Sequence, residues 1–195
     1  MAIKDRKYFL AIIPPEPLRG EIQQLKERIG ATHHTRGALR SPPHITLHMP
    51  FLWTESKEDK LIDALGIFAS EQQSITIGLN GYSCFRPRVV FIAVHDNPRL
   101  ADLQRQLFRY CKLQLNLFNA NYKDRPFHPH ITLAFRDLKK DQFEILWREM
   151  EQQTNQSSFE AMSITLLKHD GHQWQEHRNF QLGKRLARER DERLG

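Results

Sequence analysis

Two tripeptides of the same make-up carry the chemistry that this 195-residue chain offers: His44-Ile45-Thr46 and His130-Ile131-Thr132. In a strand, residues i and i+2 point to one face. Each motif therefore projects an imidazole and a hydroxyl together, while Ile45 and Leu47, or Ile131 and Leu133, point the other way into a core. Threonine is β-branched and stiff at χ1, which aims its hydroxyl. Histidine titrates near neutral pH, so of two imidazoles one can take a proton while the other gives one. Displacement at a phosphodiester needs both transfers, one from the attacking oxygen and one to the leaving oxygen. The hydroxyls can donate to the non-bridging oxygens, where negative charge develops. No metal is needed.

One such motif alone would be read as a hydrogen-bonded histidine at a sheet edge; its repetition in matching contexts argues for chemistry. A metal site is the competing use of ten histidines, and His128-Pro129-His130 and His169-x-x-His172 have spacings a metal can use. No cysteine cluster, no His-Glu-x-x-His and no acidic neighbour accompanies either motif, so neither metal nor cofactor is expected. His33, His34, His48, His95 and His177 are expected on loops or surfaces. There is no Gly-rich phosphate loop and no serine nucleophile elbow.

The elements that must hold the motifs recur in order. Tyr8–Ile13 has the composition of a buried strand. A helix over about 16–29 follows, with Leu18, Ile22, Leu25 and Ile29 at helical spacing and Gly30 as its stop. Pro42-Pro43 then leads into the first motif. In the second half, Val89–Val94 is again a strand, Asp96-Asn97-Pro98 starts a helix striped by Leu100, Leu103, Leu107 and Cys111, and a polar loop (Asn119 to Arg125) leads into the second motif. Helices are expected after each motif, at about 55–70 and 140–153, followed by strands at 74–79 and 159–167. A last hairpin turns near Asp170-Gly171 and carries Trp174. Strand, helix, motif, helix, strand, twice over, predicts an α+β fold. It would be a bilobal, pseudo-twofold duplication in which two antiparallel sheets face a central cleft with helices outside. The unit is read as one domain over 1–182, with repeats at about 8–85 and 86–182, and a charged, flexible tail at 183–195.

Composition sets the outer bounds. Hydrophobic residues make up 39% and charged residues 27%, a globular balance. The net charge of +6 favours polyanionic partners, although part of it lies in the tail. Two cysteines do not make a disulfide framework. No signal peptide and no span of about 20 apolar residues is present, so a cytoplasmic monomer with no membrane association is expected.

Pro43-His44-Ile45-Thr46-Leu47 and His128-Pro129-His130-Ile131-Thr132-Leu133, in a duplicated chain, resemble the 2H phosphoesterase superfamily, and within it the bacterial 2'-5' RNA ligase and cyclic phosphodiesterase proteins. The resemblance runs from about Tyr8 to Leu182, and Phe85-Arg86-Pro87-Arg88-Val89-Val90-Phe91 looks like that family's segment entering the second lobe. It implies a water-filled cleft and action on a nucleotide or RNA bearing a 2',3'-cyclic phosphate or a 2'-5' linkage. By position, His44 would be the acid, His130 the base, and Thr46 and Thr132 the phosphate binders. Several relatives carry an arginine five residues after the second histidine; here that place is Phe135, and Arg136 comes one later. A one-residue shift flips a strand side chain to the other face, so Arg136 reaches the phosphate only if the strand has ended or bulged. Phe135 either stacks on a base or fills the core, and Phe51 poses the same choice with core packing favoured. The expected activity is hydrolysis of a 2',3'-cyclic phosphodiester to a 2'-phosphate. The alternatives are joining of RNA ends through a 2'-5' bond, cleavage of cyclic oligonucleotides, and a non-catalytic RNA-end binding module, which would need neither acid nor base.

Overall fold

A computed structural model describes residues 4–118 and 126–183. The polar loop Asn119 to Arg125 and the tail after Gly183 lie outside the described residues. In chain order the elements are β1 (Asp5–Ile12), α1 (Leu18–His33), β2 (Ile45–Thr54), α2 (Glu58–Ser70), β3 (Ile75–Phe85), β4 (Val89–Val94), α3 (Pro98–Leu115), β5 (His130–Ala134), α4 (Lys140–Met150), β6 (Gln156–Ala161), β7 (Ser163–His169) and β8 (Trp174–Gln181), with 3-10 turns at Gly37–Arg40 and Glu55–Lys57.

Local rules account for much of this. The Asn97 side chain accepts a hydrogen bond from the Leu100 amide at 3.1 Å and Pro98 opens α3, a capping residue followed by the one residue that lacks an amide proton to satisfy. Leu100, Leu103, Leu107 and Cys111 are all buried along one stripe. Helix α1, by contrast, does not stop at Gly30. It runs on to His33 and ends at His34 in the left-handed conformation, φ 53°. Gly30 serves close packing instead: a Cβ there would lie 2.8 Å from the Thr35 carbonyl oxygen.

The strand expected over 159–167 is two strands with different partners. Strand β6 pairs with β3, whereas β7 pairs with β1 and β8. A chain that leaves one end of the sheet and re-enters near the other looks continuous in hydrophobic pattern, because both pieces bury one face.

The two separate sheets that were expected are one antiparallel eight-stranded sheet, in the order β6-β3-β4-β5-β2-β1-β7-β8. The two motif strands are neighbours at its centre and meet through a single registered pair, Ile45 and Ile131. Strand β3, from the N-terminal half, pairs with β4, and β7, from the C-terminal half, pairs with β1. Helix α1 packs on β5 and α3 on β2, so each helix lies behind the other half's motif strand. Ile45, Leu47, Ile131 and Leu133 join residues of all four helices in one continuous core. Phe9, Ala11 and Leu167 form a small second cluster with Ile13 and Trp174 packed against it. No helix among the described residues is long and apolar enough to cross a membrane.

Candidate active site

The Ile45–Ile131 pair organises the site. Antiparallel register about it sets His44 opposite Thr132 and Thr46 opposite His130, all four on the face away from the isoleucines. Facing side chains of such a pair have Cβ atoms about 4.5–5.5 Å apart. Three of the four groups stand on the two strands, and His44 sits one residue before β2 (Ile45–Thr54).

Both imidazoles are oriented in the same way. His44 Nδ1 donates to the Pro42 carbonyl and His130 Nδ1 to the His128 carbonyl, each at 2.7 Å. A carbonyl only accepts, so in each ring Nδ1 carries the proton and Nε2 is the free nitrogen. Each ring also lies against a phenylalanine of the adjacent strand, Phe9 at 4.9 Å from His44 and Phe91 at 4.8 Å from His130 between ring centres. Burial pushes His44 down to about 4; the Pro42 carbonyl opposes the fall, while Lys26 and His130 add to it. Burial lowers His130 too, against the pull of the His128 carbonyl.

A cavity of about 350 Å³ opens over these groups, within the range of roughly 300–1,000 Å³ usual for small-molecule sites. His44, Thr46, His130, Thr132, Phe135 and Arg136 all line it. Strand β5 ends at Ala134 and Arg136 takes φ 66°, so strand alternation no longer governs its direction and it reaches the cavity wall. Its guanidinium sits 5.1 Å from the centre of the Phe135 ring. This turn is clasped by Asp137. The carboxylate accepts from Thr35 Oγ1 at 2.6 Å, the Arg36 amide at 2.7 Å and the Gly37 amide at 3.0 Å. Burial would raise its pKa, but these hydrogen bonds hold it below the usual carboxylate range. Gly37 permits the approach, since a Cβ there would stand 2.6 Å from the Phe135 carbonyl oxygen.

Phe51 is not brought to the cavity. It packs on the core between Tyr8, 6.1 Å away, and His48, 5.3 Å away. His48 and His33 are buried rather than superficial. For His48 the reason is an irregular register between β1 and β2 beside it, which puts consecutive residues Leu47 and His48 inside. The His128 and His130 rings are 6.1 Å apart. No group of three His, Cys, Asp or Glu side chains among the described residues is placed to hold a metal ion.

Several lining residues were not expected at the site from the sequence, His128 and His169 having been weighed only as metal spacings and Phe85 only as part of a family-like segment. Phe85 reaches within 5.4 Å of the His130 ring, and His128 lies 5.1 Å from Phe85. At the other end Trp174 stands edge-on to Phe9 at 4.7 Å and to His169 at 4.8 Å. Phe9 and Phe91 were detectable, as aromatics at matching points of the repeated strand. The place of Trp174 and His169 beside the motifs was not, because only the pairing of β7 with β1 carries their hairpin to the site.

The comparisons agree with this architecture. Among solved structures, TT0787 of Thermus thermophilus superposes with a TM-score of 0.62 at 18% identity, covering 91% of this chain and 98% of that one. E. coli LigT in complex with 3'-AMP gives 0.61 at 23% identity, covering 92% and 99%. In sequence, the "Putative phosphoesterase" of Geobacillus kaustophilus is 30% identical over 149 residues, which are 75% of this chain and 79% of that relative. The family model of the 2'-5' RNA ligase superfamily matches residues 14–173, a span that contains both motifs, Arg136 and the His169 end of the cavity. The chain belongs to the 2'-5' RNA ligase superfamily of 2H phosphoesterases.

Proposed function

We propose that this protein hydrolyses a 2',3'-cyclic phosphodiester at the end of a nucleotide or RNA, giving a 2'-phosphate, by acid–base catalysis between His44 and His130 without a metal. The observation that carries the reading is the paired, tautomer-fixed imidazoles with a hydroxyl opposite each, over one cavity. Water attacks phosphorus and its proton passes to the neutral Nε2 of one histidine. The bond to the 3'-oxygen breaks and that oxygen takes the Nε2 proton of the other. Thr46 and Thr132 donate to the non-bridging oxygens, with Arg136 beside them. Phe135 and Phe85 offer faces to a base. E. coli LigT has been crystallised with 3'-AMP, ATP and NADP+, which fits a nucleotide ligand here.

The family resemblance makes His44 the acid. The protein's own charges favour the reverse, because Lys26 lies near His44 and holds protons off it. With His44 as acid, the phosphate anion must lift its pKa before the proton can be given.

The deciding experiment is product analysis with nucleoside 2',3'-cyclic phosphates, 2'-5' dinucleotides and cyclic dinucleotides, all in excess EDTA. A 2'-phosphate from the cyclic mononucleotides is expected. Activity that EDTA abolishes and Zn²⁺ or Mn²⁺ restores would make the histidines ligands.

A further inference from the structure

Helix α1 carries a charge at a core position. Its buried stripe is Ile22, Lys26, Ile29, Gly30 and His33, and Lys26 is 1% exposed. An ammonium out of water is costly unless a carboxylate and further hydrogen bonds answer it. Among the described residues no carboxylate pairs with Lys26; its Nζ donates to the Ser41 carbonyl at 2.6 Å. Burial pushes Lys26 down to about 8, against Glu27 on the same helix, so the group is still charged at neutral pH. An aliphatic side chain would fill this place without that cost, so packing alone does not account for a lysine here.

The segment that this lysine holds leads straight to the site. Residues 41–44 lie outside helices and strands, and Pro42 and Pro43 have no amide to tie them to a neighbour. Ser41 lines the cavity, and the next carbonyl, that of Pro42, accepts from His44 Nδ1. The equivalent contact joins His130 to the His128 carbonyl, and there the titratable neighbour that acts on the ring is His128 itself. On His44 the charges that act are Lys26 and His130. Of the other charges round α1, Arg19 is paired with Glu176 of β8, His33 faces Glu149 of α4, and Arg40 flanks Ser41.

We infer that Lys26 is the positioning residue of His44: it holds the 41–43 segment that fixes the ring, and its buried charge makes the histidines of two identical motifs unlike. The inference deepens, and rests on, the phosphoesterase reading above. Two equivalent imidazoles sharing one proton would adopt both singly protonated forms alike, and only one form reacts in a given direction. Environments that push paired groups apart assign the acid and the base. With Lys26 behind His44, the free protein keeps the shared proton on His130.

The test is a titration of the histidine rings by NMR in the free wild type, Lys26→Met and Lys26→Gln, alongside kcat and kcat/KM on a nucleoside 2',3'-cyclic phosphate. Methionine fills the space with neither charge nor donor, and glutamine keeps a donor for the Ser41 carbonyl. His44 should titrate at higher pH in both variants, toward the usual imidazole value of about 6.5, while His130 moves much less. The maximum of kcat/KM should move up with it, whichever role His44 has, because the singly protonated pair then persists to higher pH. At each variant's own optimum, kcat should fall by up to about a hundredfold in Lys26→Met, as for a slightly misplaced catalytic group, and by less in Lys26→Gln. A merely structural lysine would lower Tm and leave the histidine titrations of the folded variants unchanged. If Lys26→Met fails to fold, Lys26→Gln carries the same titration. His44 titrating as in the wild type, or His44 and His130 moving equally, would overturn this inference and leave the hydrolase standing. A wild type inactive on the cyclic phosphates, with His44 still moved by the substitutions, would overturn the hydrolase alone.

Discussion

In the proposed hydrolysis, one proton must sit on one of two imidazoles and not on the other before the cyclic ester can open. Burial lowers both histidines, His44 to about 4, so in the free protein the singly protonated pair is most populated on the acid side of the usual imidazole value of about 6.5. The profile of kcat/KM, which reports the free enzyme, should therefore be a bell with its maximum below about pH 6.5. That of kcat should lie higher, because the bound phosphate anion favours imidazolium. A kcat/KM maximum above about pH 7 would remove this account. Substitution separates the roles. His44→Ala or His130→Ala should reduce turnover by at least about a hundredfold, the low end for a lost general acid or base. Thr46→Ala or Thr132→Ala should lose a hydrogen bond to a charged oxygen, roughly 1.5–3 kcal/mol, or about tenfold to a hundredfold. A substrate with a strongly acidic leaving group should rescue only the mutant that lost the acid: His44→Ala by the resemblance, His130→Ala by the protein's own charges. Full activity in either His→Ala variant would end the catalytic reading.

At the scale of elements, Asp137 joins the turn after β5 to the turn after α1, and Arg136 and Phe135 are carried on that clasp. Asp137→Ala leaves three donors without their acceptor and should cost about 1–3 kcal/mol of stability. It should also release Arg136. If so, Asp137→Ala and Arg136→Ala both lower kcat/KM, and the double variant is no worse than the more impaired single one, since coupled residues are not additive. Strictly additive losses in kcat/KM would show that the clasp does not position the arginine.

Among the described residues one registered pair joins the two halves of the sheet, yet the core beneath is continuous. Helices packed behind the opposite half's motif strand supply the coupling that the backbone ladder lacks. We propose that residues 1–182 fold as one cooperative bilobal unit. Ile131→Ala, at the joint and fully buried, should cost about 2–5 kcal/mol, and Tm should fall by about 2–4 °C per kcal/mol for a chain of this size. Calorimetry should still record one transition. Two resolved transitions, in the wild type or the variant, would mean that the halves melt independently.

What the sequence determined by itself was whatever depends on near neighbours. Alternation placed His44 and Thr46, and His130 and Thr132, on one face with isoleucines behind. Asn97-Pro98 marked the start of α3 and the stripe Leu100, Leu103, Leu107 and Cys111 its buried face. Periods of about 2 and 3.6 are local properties of the backbone, and so are caps. Tertiary structure alone decided who pairs with whom. Nothing in 156–169 marks Met162 as the point where the chain passes from β3's flank to β1's. The Ile45–Ile131 joint that turned two expected sheets into one is likewise invisible, as is the register irregularity that drew His48 inside. The arrival of Trp174 and His169 at the cavity follows from the pairing of β7 with β1 and β8. Strand partners are chosen by the fit of whole buried faces across long stretches of chain, and a one-dimensional pattern of apolar and polar residues serves many pairings equally well.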